Sequence, residues 1–149
     1  MPHTLFISDL HLGADHPGSM AACQRFVVEL APQAEALYIL GDLFEYWAGD
    51  DDMEDEFHAR VVTALRSLAT QGTKVYLLHG NRDLLMGEAL AEACRATLLP
   101  DPTLIDLHGT PTLLSHGDLL CTGDTEYQRY RAQVHDAAFQ QQFLAKPLA

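Results

Sequence analysis

Leu37-Tyr38-Ile39-Leu40-Gly41-Asp42-Leu43-Phe44-Glu45 is the stretch on which the reading of this chain turns. Its first half continues Ala36 as an apolar run too short for a helix, the mark of a strand buried on both faces. Gly41-Asp42 follows at once: the glycine allows a sharp turn, and a carboxylate stands at the strand's end. The arrangement recurs three times. Thr4 to Ile7 leads to Asp9-Leu10-His11, Val75 to Leu78 leads to Gly80-Asn81-Arg82-Asp83, and a later apolar run leads to Ser115-His116-Gly117-Asp118. In open α/β sheets, ligands bind in the crevice beyond the carboxyl ends of the strands, so the four clusters are expected to converge. Singly, each reads as a cap or a turn. Four in one chain read as a site.

Between the strands, residues 19–30 and 54–70 read as helices. Phe57, Val61, Val62, Leu65 and Leu68 recur at three- and four-residue steps, one face for the sheet, and Gln71-Gly72 supplies the stop. Residues 84–94 are expected to form another helix, with a break at Pro100-Asp101-Pro102. Residues 103–107 and 112–114 flank His108-Gly109-Thr110-Pro111 as an antiparallel hairpin, and a polar helix is expected over 124–144. Alternating strands and helices place the chain in the α/β class on a largely parallel sheet. The acidic run Asp50, Asp51, Asp52, Glu54, Asp55, Glu56 reads as a solvated loop favouring the positive end of the next helix, with a structural or metal-proximal Asp50 or Asp51 as the alternative.

The 149 residues are 48% apolar, 20% charged and 8% aromatic, which excludes disorder and fits one globular domain, 1–149. Nine basic against 21 acidic residues leave a formal charge of −12, an argument against nucleic acid as partner and for a cation or a metal-bridged anion. Cys23, Cys94 and Cys121, odd in number and widely spaced, read as free thiols in a reducing cytoplasm. No basic leader precedes Thr4 to Ile7, and no apolar run approaches the roughly 18 residues of a membrane span.

Carboxylate, imidazole and amide oxygen are what hard to borderline divalent cations bind. In Asp9-x-His11 the two-residue step puts both side chains on one side of an extended segment, so they can share one ion. Asp42 is placed to bridge two, with Asn81 and His116 serving the second. Arg82 is a candidate phosphoryl stabiliser, its plain alternative being a surface pair with Asp83. Asp124 reads equally as a helix N-cap or as a contact to a sugar or nucleotide hydroxyl. His79, beside Gly80-Asn81, is a candidate for orienting a ligand. His3, His16, His58, His108 and His135 lack a strand-end context. Tyr46 and Trp47 read as packing residues, the alternative being an acyl groove.

Asp9-x-His11, Gly41-Asp42, Gly80-Asn81-Arg82-Asp83 and His116-Gly117-Asp118 resemble the calcineurin-like metallophosphoesterase signature. The longer strings around them resemble the branch of that family in lipid A biosynthesis, almost from end to end of the chain. That resemblance implies a layered β-sheet sandwich flanked by helices. It implies a hydrolase with two divalent ions, most often Mn2+: Asp9 and His11 on the first, Asp42 bridging, Asn81 and His116 on the second, and a metal-activated water as nucleophile. Asn81, Arg82 and Asp124 would contact the substrate, UDP-2,3-diacylglucosamine, cleaved to UMP and 2,3-diacylglucosamine 1-phosphate (lipid X). The work would be done at the cytoplasmic face of the inner membrane, by peripheral attachment. The family's closing Gly-His-x-His motif is not present in these residues. The resemblance therefore implies an N-terminal portion of the enzyme, with a helical insertion beginning about 124–149. A metallophosphoesterase for a soluble phosphodiester, and a non-catalytic fragment with a partial metal site, are the alternatives.

Overall fold

The computed structural model describes residues 3–148; Met1, Pro2 and Ala149, within the expected domain boundaries, lie outside the described residues. Four strands, β1 (Thr4–Ile7), β2 (Ala36–Leu40), β3 (Lys74–Leu78) and β4 (Ala96–Leu98), form an all-parallel sheet in the order β1-β2-β3-β4. The first three are the apolar runs of the sequence. β2 is buried on both faces because both are covered. Leu37 and Ile39 point into the main core with Val75 and Leu77, under α1 (Pro17–Arg25), α2 (Glu56–Thr70) and α3 (Glu88–Cys94). Ala36 and Tyr38 point the other way and pack with Leu78 and Leu114 beneath a second, two-stranded sheet, β5 (Thr103–Leu107) and β6 (Thr110–Leu114). Across the parallel sheet, Phe6, Tyr38 and Tyr76 stack at centroid distances of 5.1 and 4.5 Å.

α2 starts at Glu56 rather than 54 because Asp55 caps it, accepting from the Phe57 and His58 amides, while Asp50–Glu54 form a separate 3-10 turn. Phe57, Val61, Leu65 and Leu68 are buried along its sheet-facing side, each contributing about 1.5–3 kcal/mol by leaving water. Val62 lies beside that stripe and is only partly buried. Asp50 settles the acidic run in favour of structure: its carboxylate accepts from the Gly87 and Leu90 amides and so caps α3, a helix with no cap of its own. Asp51 is exposed.

Four expected elements differ. The helix over 19–30 begins at Pro17, whose missing N–H suits a first turn, and gives way after Arg25 to a π-helical turn, Phe26–Leu30. The helix over 84–94 starts only at Glu88, since 84 and 85 turn back toward the site. It ends on Arg95 at φ 54, after which β4, unforeseen, pairs with β3. The hairpin turns on two residues, His108 and Gly109 at φ 51 and 87, and Thr110 and Pro111 belong to β6. The polar helix over 124–144 is two helices, α4 (Thr125–Val134) and α5 (Ala137–Leu144), because Asp136 caps the second through the Phe139 amide. Among the described residues no helix is long and apolar enough to cross a membrane.

Candidate metal centre

The four clusters do converge. Beyond β1 and β2 the chain runs as two parallel segments joined by backbone bonds from Asp9 N to the Gly41 carbonyl (3.1 Å), His11 N to Asp42 O (3.0 Å) and Leu12 N to Leu43 O (2.9 Å). Asp9, His11 and Asp42 all adopt left-handed backbone, φ 54, 47 and 52. The extended Asp9-x-His11 segment expected from the sequence is therefore incorrect: β1 ends at Ile7 and both residues take a left-handed backbone conformation. The pair still meets, His11 Nε2 lying 3.9 Å from Asp9 Oδ1.

Asp42, 2% exposed, is held at one oxygen: Oδ1 accepts from the Arg82 amide at 2.9 Å. Its Oδ2 lies 3.6 Å from His11 Nε2 and 3.7 Å from His116 Nε2, one on each side. Asp9, Asp42 and His116 each offer a donor atom within 4.8 Å of the others. His116 Nδ1 donates to the Leu40 carbonyl at 2.9 Å, and its Nε2 faces the Asn81 oxygen at 3.1 Å. His11 Nδ1 donates to Glu45 Oε2 at 2.7 Å, and its Nε2 faces Asp9 and Asp42. Carboxylate, imidazole and amide oxygen converging on Asp42 Oδ2 are a donor set that fits a divalent cation.

Two glycines make room. A methyl on Gly80 would overlap the Asp42 carboxylate and amide, and one on Gly41 would sit 2.5 Å from His116 Nδ1. Asp83, fully buried, is the bracket beneath them: Oδ1 accepts from Gly80 N (2.9 Å) and Asp42 N (3.2 Å), Oδ2 from Leu43 N (2.7 Å) and Phe44 N (3.2 Å). Burial pushes its carboxyl up, against the pull of these amides. Arg82 therefore does not pair with Asp83; its side chain reaches Glu45, Nη2 to Oε1 and Nε to the carbonyl at 3.2 Å. Glu45 was not among the residues singled out from sequence. The His11 hydrogen bond, seconded by Arg82, holds its carboxyl below the usual carboxylate range.

His79 lies beside the site, but its Nε2 contacts the Met86 carbonyl at 2.6 Å, away from the cluster. Asp124 caps α4 through the Tyr127 amide at 2.9 Å and is exposed. Asp118 takes the role in tying α4 down: Oδ2 accepts from Tyr127 Oη (2.7 Å) and Arg131 Nε (2.8 Å). Burial raises its carboxyl, and those two donors more than reverse the effect. The held α4 and α5 wall a cleft of about 470 Å³ lined by Asn81 and Arg82 together with Tyr46, Trp47, Leu85, Tyr130, Phe139 and Phe143. Trp47 is nevertheless packed, 3% exposed and stacked on Phe44 at 4.7 Å, while Tyr46 is open to solvent. His58 packs against Phe44, Trp47 and Phe57; His3, His16, His108 and His135 are exposed.

The sequence profile of the calcineurin-like phosphoesterase family matches residues 2–147. The chain is 55% identical over 146 residues to a UDP-2,3-diacylglucosamine hydrolase of Stenotrophomonas maltophilia (strain K279a), covering 98% of this chain and 58% of that protein. Proteins of the same name from Edwardsiella ictaluri (strain 93-146) and Hahella chejuensis (strain KCTC 2396) are each 52% identical over 97% of the chain, covering 56% and 59% of their lengths. The chain thus spans less than two thirds of the curated relatives it matches. Among solved structures, a Pseudomonas putida nuclease titled MPE superposes with a TM-score of 0.50 at 21% identity, over 68% of this chain and 49% of that one, a likeness of fold.

Proposed function

The chain belongs to the calcineurin-like phosphoesterase family, and from that premise we propose that its centre hydrolyses the pyrophosphate of UDP-2,3-diacylglucosamine to UMP and 2,3-diacylglucosamine 1-phosphate. The observation that carries this reading is the convergence of Asp9, His11 and His116 on Asp42 Oδ2, next to an apolar cleft that Asn81 and Arg82 help to line. The substrate follows from relatives of that name at 52–55% identity. Residues 1–149 are taken as one metallophosphoesterase unit in which α4 and α5 open a helical arm.

Asp9 and His11 are the proposed ligands of one cation, Asn81 and His116 of the other, with Asp42 shared. When bound, two divalent cations, Mn2+ in this reading, supply Lewis-acid stabilisation of phosphoryl charge and acidify water. The protein's own part is positioning. Glu45 occupies Arg82 through Nε and Nη2, leaving the Nη1 edge of the guanidinium free to receive a phosphoryl oxygen as its charge grows. Asp83 fixes the Asp42 turn by binding the amides on both sides of it, so the carboxylate cannot swing out of register. Tyr46, Leu85, Tyr130 and Phe139 offer the acyl chains an apolar wall. Leu119 and Leu120 in the turn before α4, and Phe143 and Leu144 at the end of α5, are exposed apolar side chains available to a membrane surface in the proposed peripheral attachment.

The test is UMP release from UDP-2,3-diacylglucosamine by the purified, folded chain, with and without Mn2+, beside Asp42→Asn. Manganese-dependent release that disappears in the variant supports the reading. Faster turnover of a soluble phosphodiester than of the nucleotide lipid overturns the substrate.

A further inference from the structure

The carboxylate of Glu45 touches the side chains of both a proposed cation ligand and the proposed phosphoryl clamp. Its backbone is fixed first: Glu45 N donates to the Leu12 carbonyl at 3.0 Å, and Leu12 and Phe44 form a parallel bridge, so residues 9–12 and 42–45 move as one piece. Its two oxygens are then divided. Oε2 accepts from His11 Nδ1 at 2.7 Å and Oε1 from Arg82 Nη2. His11 has no other side-chain hydrogen-bond partner among the described residues, its further carboxylate neighbours lying at 3.6 and 3.9 Å from Nε2. With Glu45 absent, nothing in these contacts would keep the proton on Nδ1 and the lone pair on Nε2.

We propose that Glu45 is a positioning residue that fixes the His11 ring as its Nδ1–H tautomer, so that Nε2 is delivered as a cation ligand, and that the same carboxylate sets Arg82 at the mouth of the cleft. Cation binding and phosphoryl binding thus share one support, separated by the length of a carboxyl group. A carboxylate behind a ligating imidazole both orients the ring and raises its basicity, and losing one weakens metal affinity by about 10- to 100-fold. The inference rests on reading His11 as a ligand, and the test separates the two.

The first measurement is the imidazole nitrogen spectrum of the metal-free chain at pH 8.5, about two units above the ordinary histidine value, with His11 assigned by its loss in His11→Gln. The parent is expected to hold His11 as Nδ1–H and Glu45→Ala to move it to a mixture of tautomers. An unchanged Nδ1–H form in Glu45→Ala, or Nε2–H in the parent, overturns the proposal. The second is calorimetric titration with Mn2+ alone: Glu45→Ala is expected to bind about 10- to 100-fold more weakly. Arg82→Ala, though it should lose turnover, is expected within twofold of the parent, because Arg82 does not touch His11. Equal Mn2+ affinity of Glu45→Ala and parent overturns the role of Glu45 and leaves the proposed function standing. Absence of Mn2+ binding by the folded parent overturns the metal reading itself, and the tautomer measurement still decides what Glu45 does to the ring.

Discussion

Replacing Asp83 by Asn changes one atom and should cost the fold dearly. The carboxylate is fully buried and both of its oxygens each accept two amide N–H groups, from Gly80 and Asp42 on one side and from Leu43 and Phe44 on the other. An asparagine keeps one acceptor oxygen and turns its NH2 toward the remaining pair, whichever way it is flipped. Two buried N–H groups are then left without acceptors at about 1–3 kcal/mol each, or roughly 2–6 kcal/mol together. The neutral side chain no longer has to bury a charge, which offsets part of this. We expect a net loss of about 3 kcal/mol, a fall in Tm of about 6–12 °C for a chain of this size. Trp47, the single tryptophan, is 3% exposed and stacked on Phe44, so its fluorescence reports urea unfolding of this region. Asp83→Ala, which orphans all four amides, should lose more. An Asn variant within about 0.5 kcal/mol of the parent, the range of ordinary surface substitutions, would refute the reasoning.

Gly80→Ala should weaken Mn2+ binding by more than about tenfold while leaving far-UV circular dichroism unchanged, because its methyl must displace the Asp42 carboxylate and amide; calorimetry decides it. Asp50→Ala removes the cap that α3 borrows from a distant loop and should cost about 1 kcal/mol, read by urea denaturation. Asp118→Ala frees Tyr127 and Arg131, so amide exchange in α4 should quicken by at least about tenfold, the effect of losing a charge-assisted bond of about 1.5 kcal/mol. Thiol alkylation should be ordered Cys121, Cys23, Cys94. Cys121 is exposed and Cys23 half-buried with its thiol pushed up by burial, whereas burial and the nearby Asp50 charge push the Cys94 thiol up to about 12. At pH 8 the folded protein then holds about one Cys94 in ten thousand as thiolate, and mass spectrometry before and after urea checks the order.

Strand runs and the Asp, Asn and His residues behind them were legible because both signals are local: an apolar stretch of four or five residues, then a ligand-type side chain. The left-handed φ of Asp9, His11 and Asp42 was not, since aspartate and histidine sit at ordinary conformations in most loops and only the neighbouring segment forces the turn. Glu45 was passed over, and Asp83 was read as a surface partner of Arg82, for a related reason: Glu45's side-chain partners and three of Asp83's four amides are 34 to 41 residues away. Asp136 carried a readable signal, a capping residue before Ala137-Ala138, and the polar pattern running through it concealed the break between α4 and α5.

The three positive-φ residues also bear on how this protein would change under selection. Glycine at position 9 or 11 relieves a left-handed strain on the order of 1 kcal/mol per position, while deleting a side chain on which the proposed chemistry depends; at position 42 the loss of the acceptor for the Arg82 amide offsets that gain. A mutant library screened for heat resistance alone would therefore drift toward glycine at 9 and 11, gaining robustness as it lost the centre. Any directed-evolution scheme on this scaffold has to tie survival to turnover from its first round.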